Sequence, residues 1–175
     1  MEALTSLAAE VIERARACGF RIVTAESCTG GALSTLLTDI PGAGEVFFGG
    51  FVSYAKEYKE RILGVPAPLV ARHTAVSEPV AQAMARGALD LSRCDLSIAI
   101  TGVAGPKPDE DGNPVGLVHI AVALKDGNTR HVRCDLGQDS PGKICGTSLR
   151  NALQLALEVM PESSDKSVRR ACPEK

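Results

Sequence analysis

The sequence predicts an α/β fold with a mixed, mostly parallel sheet and helices on both faces. Three observations carry that expectation. Short apolar runs, at Phe20 to Ala25, Val46 to Tyr54 and Asp95 to Thr101, alternate with helix-like segments. Ile98, Ala99 and Ile100 are apolar in succession, as in a strand covered on both faces. Two further runs, Gly116 to Leu124 and Thr129 to Leu136, flank Lys125-Asp126-Gly127-Asn128, and Asp-Gly between apolar runs marks a hairpin.

In chain order, Leu4, Leu7, Ala8, Val11, Ile12 and Ala15 recur at helical spacing, and Gly19 stands where a C-terminal cap belongs. The Phe20 strand breaks into Thr24-Ala25-Glu26-Ser27-Cys28-Thr29-Gly30-Gly31, followed by a helix from Ala32 to Leu37 that ends near Asp39-Ile40-Pro41-Gly42. Gly49 and Gly50 inside the second strand mark a bulge or a close backbone approach. Lys56 to Leu63 reads as a helix stopped by Gly64, with Pro66 beyond, whereas Leu69 to His73 is ambiguous. Ser77-Glu78-Pro79 opens a helix in which Ser77 is the expected cap. The third strand runs into the loop Thr101-Gly102-Val103-Ala104-Gly105-Pro106 and then a polar stretch, Lys107 to Asn113. Leu149, Ala152, Leu153, Ala156, Val159 and Met160 share one side of the last helix. A single domain over residues 1–160 and a polar tail over 161–175 are expected.

Composition narrows the function. The chain has 175 residues, a formal net charge of −2 and no tryptophan, and it contains no long basic block. Neither a phosphate-backbone binder nor a base-stacking platform is favoured, so no nucleic-acid partner is expected. The first helix is too charged for a membrane span or a signal peptide, and the expectation is a cytoplasmic protein without a membrane partner. The six cysteines (Cys18, Cys28, Cys94, Cys134, Cys145 and Cys172) form no C-x-x-C pair, and the three histidines have no metal-ligand spacing. Free thiols, bland histidines, no metal and no cofactor are expected.

The chemistry centres on the Ser27 corner. A strand–turn–helix corner aims free helix amides at one point, where an anion or a developing oxyanion fits. Ser27 at its mouth is a candidate nucleophile, with amides from Cys28 to Gly31 as oxyanion donors. The plainer reading makes Ser27 or Thr29 a helix cap. Ligands in open α/β sheets gather beyond the carboxyl ends of parallel strands. Segments 24–31, 53–59 and 101–106 all fall at such ends and are expected to share a pocket. In the same way, a hydroxyl needs a base to become a nucleophile, and a lysine serves only when its pKa is lowered by burial or nearby positive charge. Lys56 and Arg61 would help Lys59 in this; Glu26, Glu57 and Glu60 would oppose it. A cysteine hydrolase built on Cys28 is a third possibility, since a thiol at a helix start can have a lowered pKa.

The stretches Thr24 to Gly31, Thr38 to Gly42, Gly50 to Tyr54, Lys59, Leu63 to Val65, Ala75 to Glu78, Thr101 to Pro106 and Pro114 to Gly116 together resemble one family. It is that of the nicotinamide-nucleotide amidohydrolases, or nicotinamide mononucleotide deamidases, which is also the C-terminal domain of the competence/damage-inducible protein CinA. The resemblance covers roughly residues 5–160. It implies a three-layer α/β/α sandwich, a homo-oligomer, and hydrolysis of the carboxamide of a pyridine nucleotide by a Ser/Lys pair. Carried over, Ser27 is the nucleophile, Lys59 the base and Tyr54 its companion, hydrogen-bonded to Lys59 or Ser27. Glu26, Cys28, Thr29, Gly30, Gly31, Gly50, Ser53, Thr101, Gly102, Ala104 and Gly105 are the implied substrate-binding residues. The alternative implied by the same scaffold is a non-catalytic nucleotide-binding or regulatory module. The chain departs from the family pattern at Gly44, where many relatives have serine, and at Thr74, where glycine is usual. Segment 137–145, before the last helix, lacks the arginine usual there, and Lys143 is its one cation.

Overall fold

A computed structural model describes residues 2–162. Most of the expected tail (163–175), with Cys172, lies outside the described residues. The elements in order are α1 (Glu2–Cys18), β1 (Ile22–Glu26), α2 (Ala32–Thr38), β2 (Phe47–Val52), α3 (Lys56–Leu63), α4 (Ala67–His73), α5 (Glu78–Ser92), β3 (Leu96–Gly102), β4 (Leu117–Leu124), β5 (Thr129–Asp135) and α6 (Pro141–Val159). The ambiguous stretch before His73 is therefore helical, opening with Pro68 in its first turn.

The five strands form one sheet in the order β2-β1-β3-β4-β5. β1 pairs in parallel with β2 and with β3. β3 with β4, and β4 with β5, are antiparallel. The sheet is thus evenly mixed by pairing, not mostly parallel. The reason lies between β3 and β4. A parallel return needs a crossover of a dozen or more residues, usually helical. Here the connecting loop carries three glycines with left-handed backbone, Gly105, Gly112 and Gly116, and no helix.

Helices cover both faces, giving the α/β/α sandwich. One face packs Ile22, Leu96, Ile98, Ile100, Val118, Ile120 and Val122 against α1, α2 and α6. The other presents mainly small residues, Ala25, Ala99, Ala121 and Ala123, to Ala81, Ala85 and Ala88 of α5. Small side chains on both partners let α5 sit close to the sheet. There Ser97 Oγ donates to the Ala85 carbonyl at 2.6 Å, satisfying a hydroxyl in an otherwise apolar layer. α3 then leans on α5 at Gly87, where an added Cβ would lie 1.8 Å from the Leu63 carbonyl oxygen. That contact fixes the height of α3, and with it Lys59, above the end of β1. No helix among the described residues is long and apolar enough to cross a membrane.

Candidate active site

Ser27 follows the last residue of β1, and its position is fixed by the ladders on both sides. Its amide donates to Ile100 O of β3 at 2.9 Å, while the Ser53 amide donates to Glu26 O at 2.7 Å from the β2 side. The chain then turns sharply through Gly30 and Gly31, both left-handed, into α2.

The anion held by the start of α2 is internal. Glu26 is fully buried. Its Oε2 accepts from Thr29 Oγ1 at 2.8 Å and from the amides of Gly31 and Leu33 at 3.1 and 3.0 Å. Its Oε1 accepts from the amide and hydroxyl of Ser34 at 2.8 and 2.6 Å. Five donors on one carboxylate meet the requirement that a buried charge be hydrogen-bonded. This corrects the expectation that the corner amides form an open anion cradle and that Glu26, Thr29, Gly30 and Gly31 face substrate. Neither Ser27 nor Thr29 caps α2; Glu26 takes that part from the strand. The Gly30 amide is also committed, to Ser27 O.

Lys59 comes from α3, one turn in from its start. Its side chain is 1 % exposed. The Nζ lies 2.9 Å from Ser27 Oγ, 2.6 Å from Ser53 O and 3.2 Å from Tyr54 O. Burial drives its pKa down to about 8. The Cys28 thiol opposes that shift and the nearby Lys56 ammonium adds to it. Ser53 and Tyr54 thus serve Lys59 through their carbonyls. Ser53 is fully buried, whereas Tyr54 is 77 % exposed. The expected hydrogen bond from the Tyr54 phenol to Lys59 or Ser27 is not formed, because the side chain points out at the mouth. Gly50 is a packing position. An added Cβ would come within 2.3 Å of Ser34 Oγ and Thr24 Oγ1, which are themselves 2.7 Å apart.

Ser27 and Lys59 open into a cavity of about 590 Å³. Of the expected residues, Cys28, Tyr54, Thr101, Gly102, Ala104 and Gly105 line it. Glu26, Thr29, Gly30, Gly31, Gly50 and Ser53 do not. Ala55, Lys56, Glu57, Ala75, Val76, Val103 and residues 107–110 complete the wall; Lys56 and Glu57 fall in the expected segment 53–59, whereas sequence reasoning passed over Ala75, Val76 and residues 107–110. The clue to the last group was the length and polarity of the loop after β3, which has to lie over something. Lys56 Nζ holds that loop, 2.6 Å from Glu110 Oε1 and 2.8 Å from Asp111 Oδ2. On the opposite wall, Thr101 Oγ1 donates to Ala75 O at 2.8 Å. Thr74, the residue before, has φ +66°, a conformation in which glycine would be less strained. Ser77 stands at the start of α5, yet its hydroxyl donates back to Thr74 O at 3.0 Å and caps nothing.

Size alone does not identify the site. A larger cavity of about 680 Å³ lies between the C-terminal half of α5 and the β4–β5 connection, and its lining residues include no serine beside a buried lysine. Charge argues against the Cys28 alternative. Burial, reinforced by Cys145, pushes the thiol up to about 12, away from a neutral-pH thiolate. The five described cysteines are free. His119 Nδ1 and His131 Nε2 lie 2.9 Å apart with their rings stacked, and Glu78 Oε2 is 3.5 Å from His131 Nδ1.

Residues 4–160 match the family described as CinA C-terminal domain. The chain belongs to that family. The CinA-like protein of Anaeromyxobacter sp. (strain Fw109-5) is 46 % identical over 157 residues, which are 89 % of this chain and 38 % of that protein. The chain therefore spans well under half of the curated relatives it matches. Solved CinA-type domains are matched along nearly their whole length. The competence/damage-inducible protein CihA from Agrobacterium tumefaciens is 37 % identical with a TM-score of 0.85, covering 89 % of this chain and 94 % of that one. A competence-damaged protein (CinA) superfamily protein from Escherichia coli is 35 % identical with a TM-score of 0.83, covering 88 % and 90 %. Ser27 and Lys59 both fall within the residues that match the CinA C-terminal domain family.

Proposed function

We propose that the protein is an amidohydrolase that converts the carboxamide of nicotinamide mononucleotide to a carboxylate and ammonia. The observation that supports this most is the 2.9 Å approach of a buried lysine amine to a serine hydroxyl at the wall of a cavity. Two Lys59 N–H directions are taken by the Ser53 and Tyr54 carbonyls, which can only accept. The remaining direction faces Ser27 Oγ. There the neutral amine takes the hydroxyl proton as Oγ attacks the carboxamide carbon. The amide of Cys28 follows the nucleophile, belongs to a residue that lines the cavity and is not committed to Glu26, so it is the donor for the oxyanion. Lys59 passes its proton to the departing nitrogen, which leaves as ammonia, and an ester remains on Ser27. Water then adds to the ester, giving a proton to Lys59. The carbon–Oγ bond breaks, the carboxylate departs and the proton returns to Ser27.

A second reading is a non-catalytic nucleotide-binding or regulatory module on the same scaffold. Membership in the CinA family supports it better than it supports the enzyme, because the relatives' names specify no reaction. One observation favours it specifically. Segment 137–145 has no arginine, and its Lys143 pairs with Asp139 at 3.3 Å, away from the cavity. Ammonia release from nicotinamide mononucleotide by purified protein, with Ser27→Ala as the control, separates the two. Turnover that Ser27→Ala abolishes is expected; ligand binding without turnover would establish the module instead.

A further inference from the structure

The cavity of about 680 Å³ between α5 and the β4–β5 turn carries a charge pattern that the Ser27 chemistry does not use. Arg86, Arg93, Lys125 and Asp90 line it, three cations against one carboxylate in a chain of net charge −2. The cations are unspent. The guanidinium groups of Arg86 and Arg93 make no hydrogen bond or ion pair with any described residue, and both side chains are exposed. Lys125 Nζ reaches only Asp95 Oδ1, at 3.7 Å. Arg93 follows the last residue of α5 with φ +56°. Glycine would close the helix there with less strain, so the turn itself does not call for an arginine. In the same wall, Thr129 Oγ1 is the one buried side-chain oxygen or nitrogen among the described residues without a hydrogen-bond partner. Such a hydroxyl costs stability until an acceptor meets it. Leu89 and Leu124 supply apolar surface. Asp90 and the carbonyl end of α5 oppose an anion, but three full positive charges outweigh one carboxylate and a helix-end charge of about half. One guanidinium fork matches a carboxylate. Two forks and an ammonium match the three oxygens and near-double charge of a phosphate. The place is remote from Ser27. Leu124 pairs with Leu96 at the start of β3, whereas Gly102 at the end of β3 lines the Ser27 cavity. Six strand steps put roughly 20 Å between them.

We infer that this cavity binds a small molecule that carries a phosphate on an apolar body, at a site separate from the Ser27 cavity. Arg86 and Arg93 hold the phosphate, and Leu89 and Leu124 cover the body. Nothing in this depends on the proposed amide chemistry. The test titrates phenyl phosphate, inorganic phosphate and phenol into isotope-labelled protein at constant ionic strength, read by the amide shifts of Cys94, Gly127 and Thr129. Phenyl phosphate should saturate these shifts and bind about three-fold or more tighter than inorganic phosphate, because the ring covers apolar surface. Phenol should leave them unmoved. The Arg86→Gln, Arg93→Gln double variant should weaken phenyl phosphate about ten-fold or more, and added salt should weaken it in wild-type protein. Both positions are exposed, so the variant is expected to fold, which its amide spectrum checks directly; Lys125→Gln, in the turn, gives a second and smaller loss. Absence of saturation by about 20 mM phenyl phosphate would overturn the inference. So would unchanged affinity in the double variant, no preference over inorganic phosphate, equal shifts with phenol, or shifts confined to the Ser27 cavity at Gly102 and Ala104.

Discussion

Lys59 Nζ and Ser27 Oγ lie 2.9 Å apart although 32 residues separate them in the chain. Two parallel strands and the α3–α5 contact bring them together, and the proposed chemistry depends on that arrangement.

The first consequence is a pH dependence. A lysine base works only when neutral, and Lys59 is lowered to about 8. The rate of ammonia release should therefore rise with pH through an inflection near 8. Lys56 contributes to that lowering through its charge. Lys56→Gln should move the inflection upward by roughly a few tenths of a pH unit. Initial rates across the pH range check both.

The same group links pH to stability. Its pKa is about 8 in the folded protein, against the ordinary lysine value of 10.5 in the unfolded chain. Between those values the unfolded state binds more protons, so this group's contribution favours folding increasingly as pH rises. Below about 8 both states are protonated, and the folded state bears the full cost of a buried ammonium. Urea unfolding of wild-type and Lys59→Met protein should show this rising contribution in the first and not in the second.

Glu26→Gln places an amide NH2 against donors now shared by a carboxylate. Five hydrogen bonds converge there, and leaving buried donors unmatched should cost about 3 kcal/mol. Denaturant unfolding should show that loss, with reduced turnover because Ser27 is the next residue. Stability within about 0.5 kcal/mol of wild type would mean that the network contributes little.

Gly87→Ala tests how α3 is positioned. The new Cβ collides with Leu63 O, a backbone atom that moves only if the helix moves. A loss of about 1–3 kcal/mol is expected in denaturant unfolding. The surviving folded protein should also lose kcat, since Lys59 shifts with its helix.

Much of this site was legible in the sequence. Ser27 at a strand–turn–helix corner and Lys59 in a helix with the expected bounds followed from apolar runs and glycine stops, which act locally. The role of Glu26 was not legible, because its five donors come from a turn whose path depends on tertiary packing. Ser53 is expected at the substrate and Tyr54 through its phenol, yet both act on Lys59 through carbonyls, which every residue has and no pattern marks. The balance of parallel and antiparallel pairing was misjudged because the helix-free loop from Val103 to Gly116 was not weighed as a bar to a parallel return. Lys107 to Glu110 lie in a stretch that the sequence marks only as polar, and whether such a loop lies over a cavity depends on the fold around it.

The most direct test sets Ser27→Ala, Cys28→Ala and Lys59→Met beside wild type in an ammonia-release assay on nicotinamide mononucleotide at a pH above the expected inflection near 8. A Ser27–Lys59 dyad predicts at least about a thousand-fold loss for the serine and lysine variants. Cys28→Ala should keep activity within about ten-fold, because its thiol is protonated and takes no part. Near-normal turnover in Ser27→Ala or in Lys59→Met would contradict the dyad.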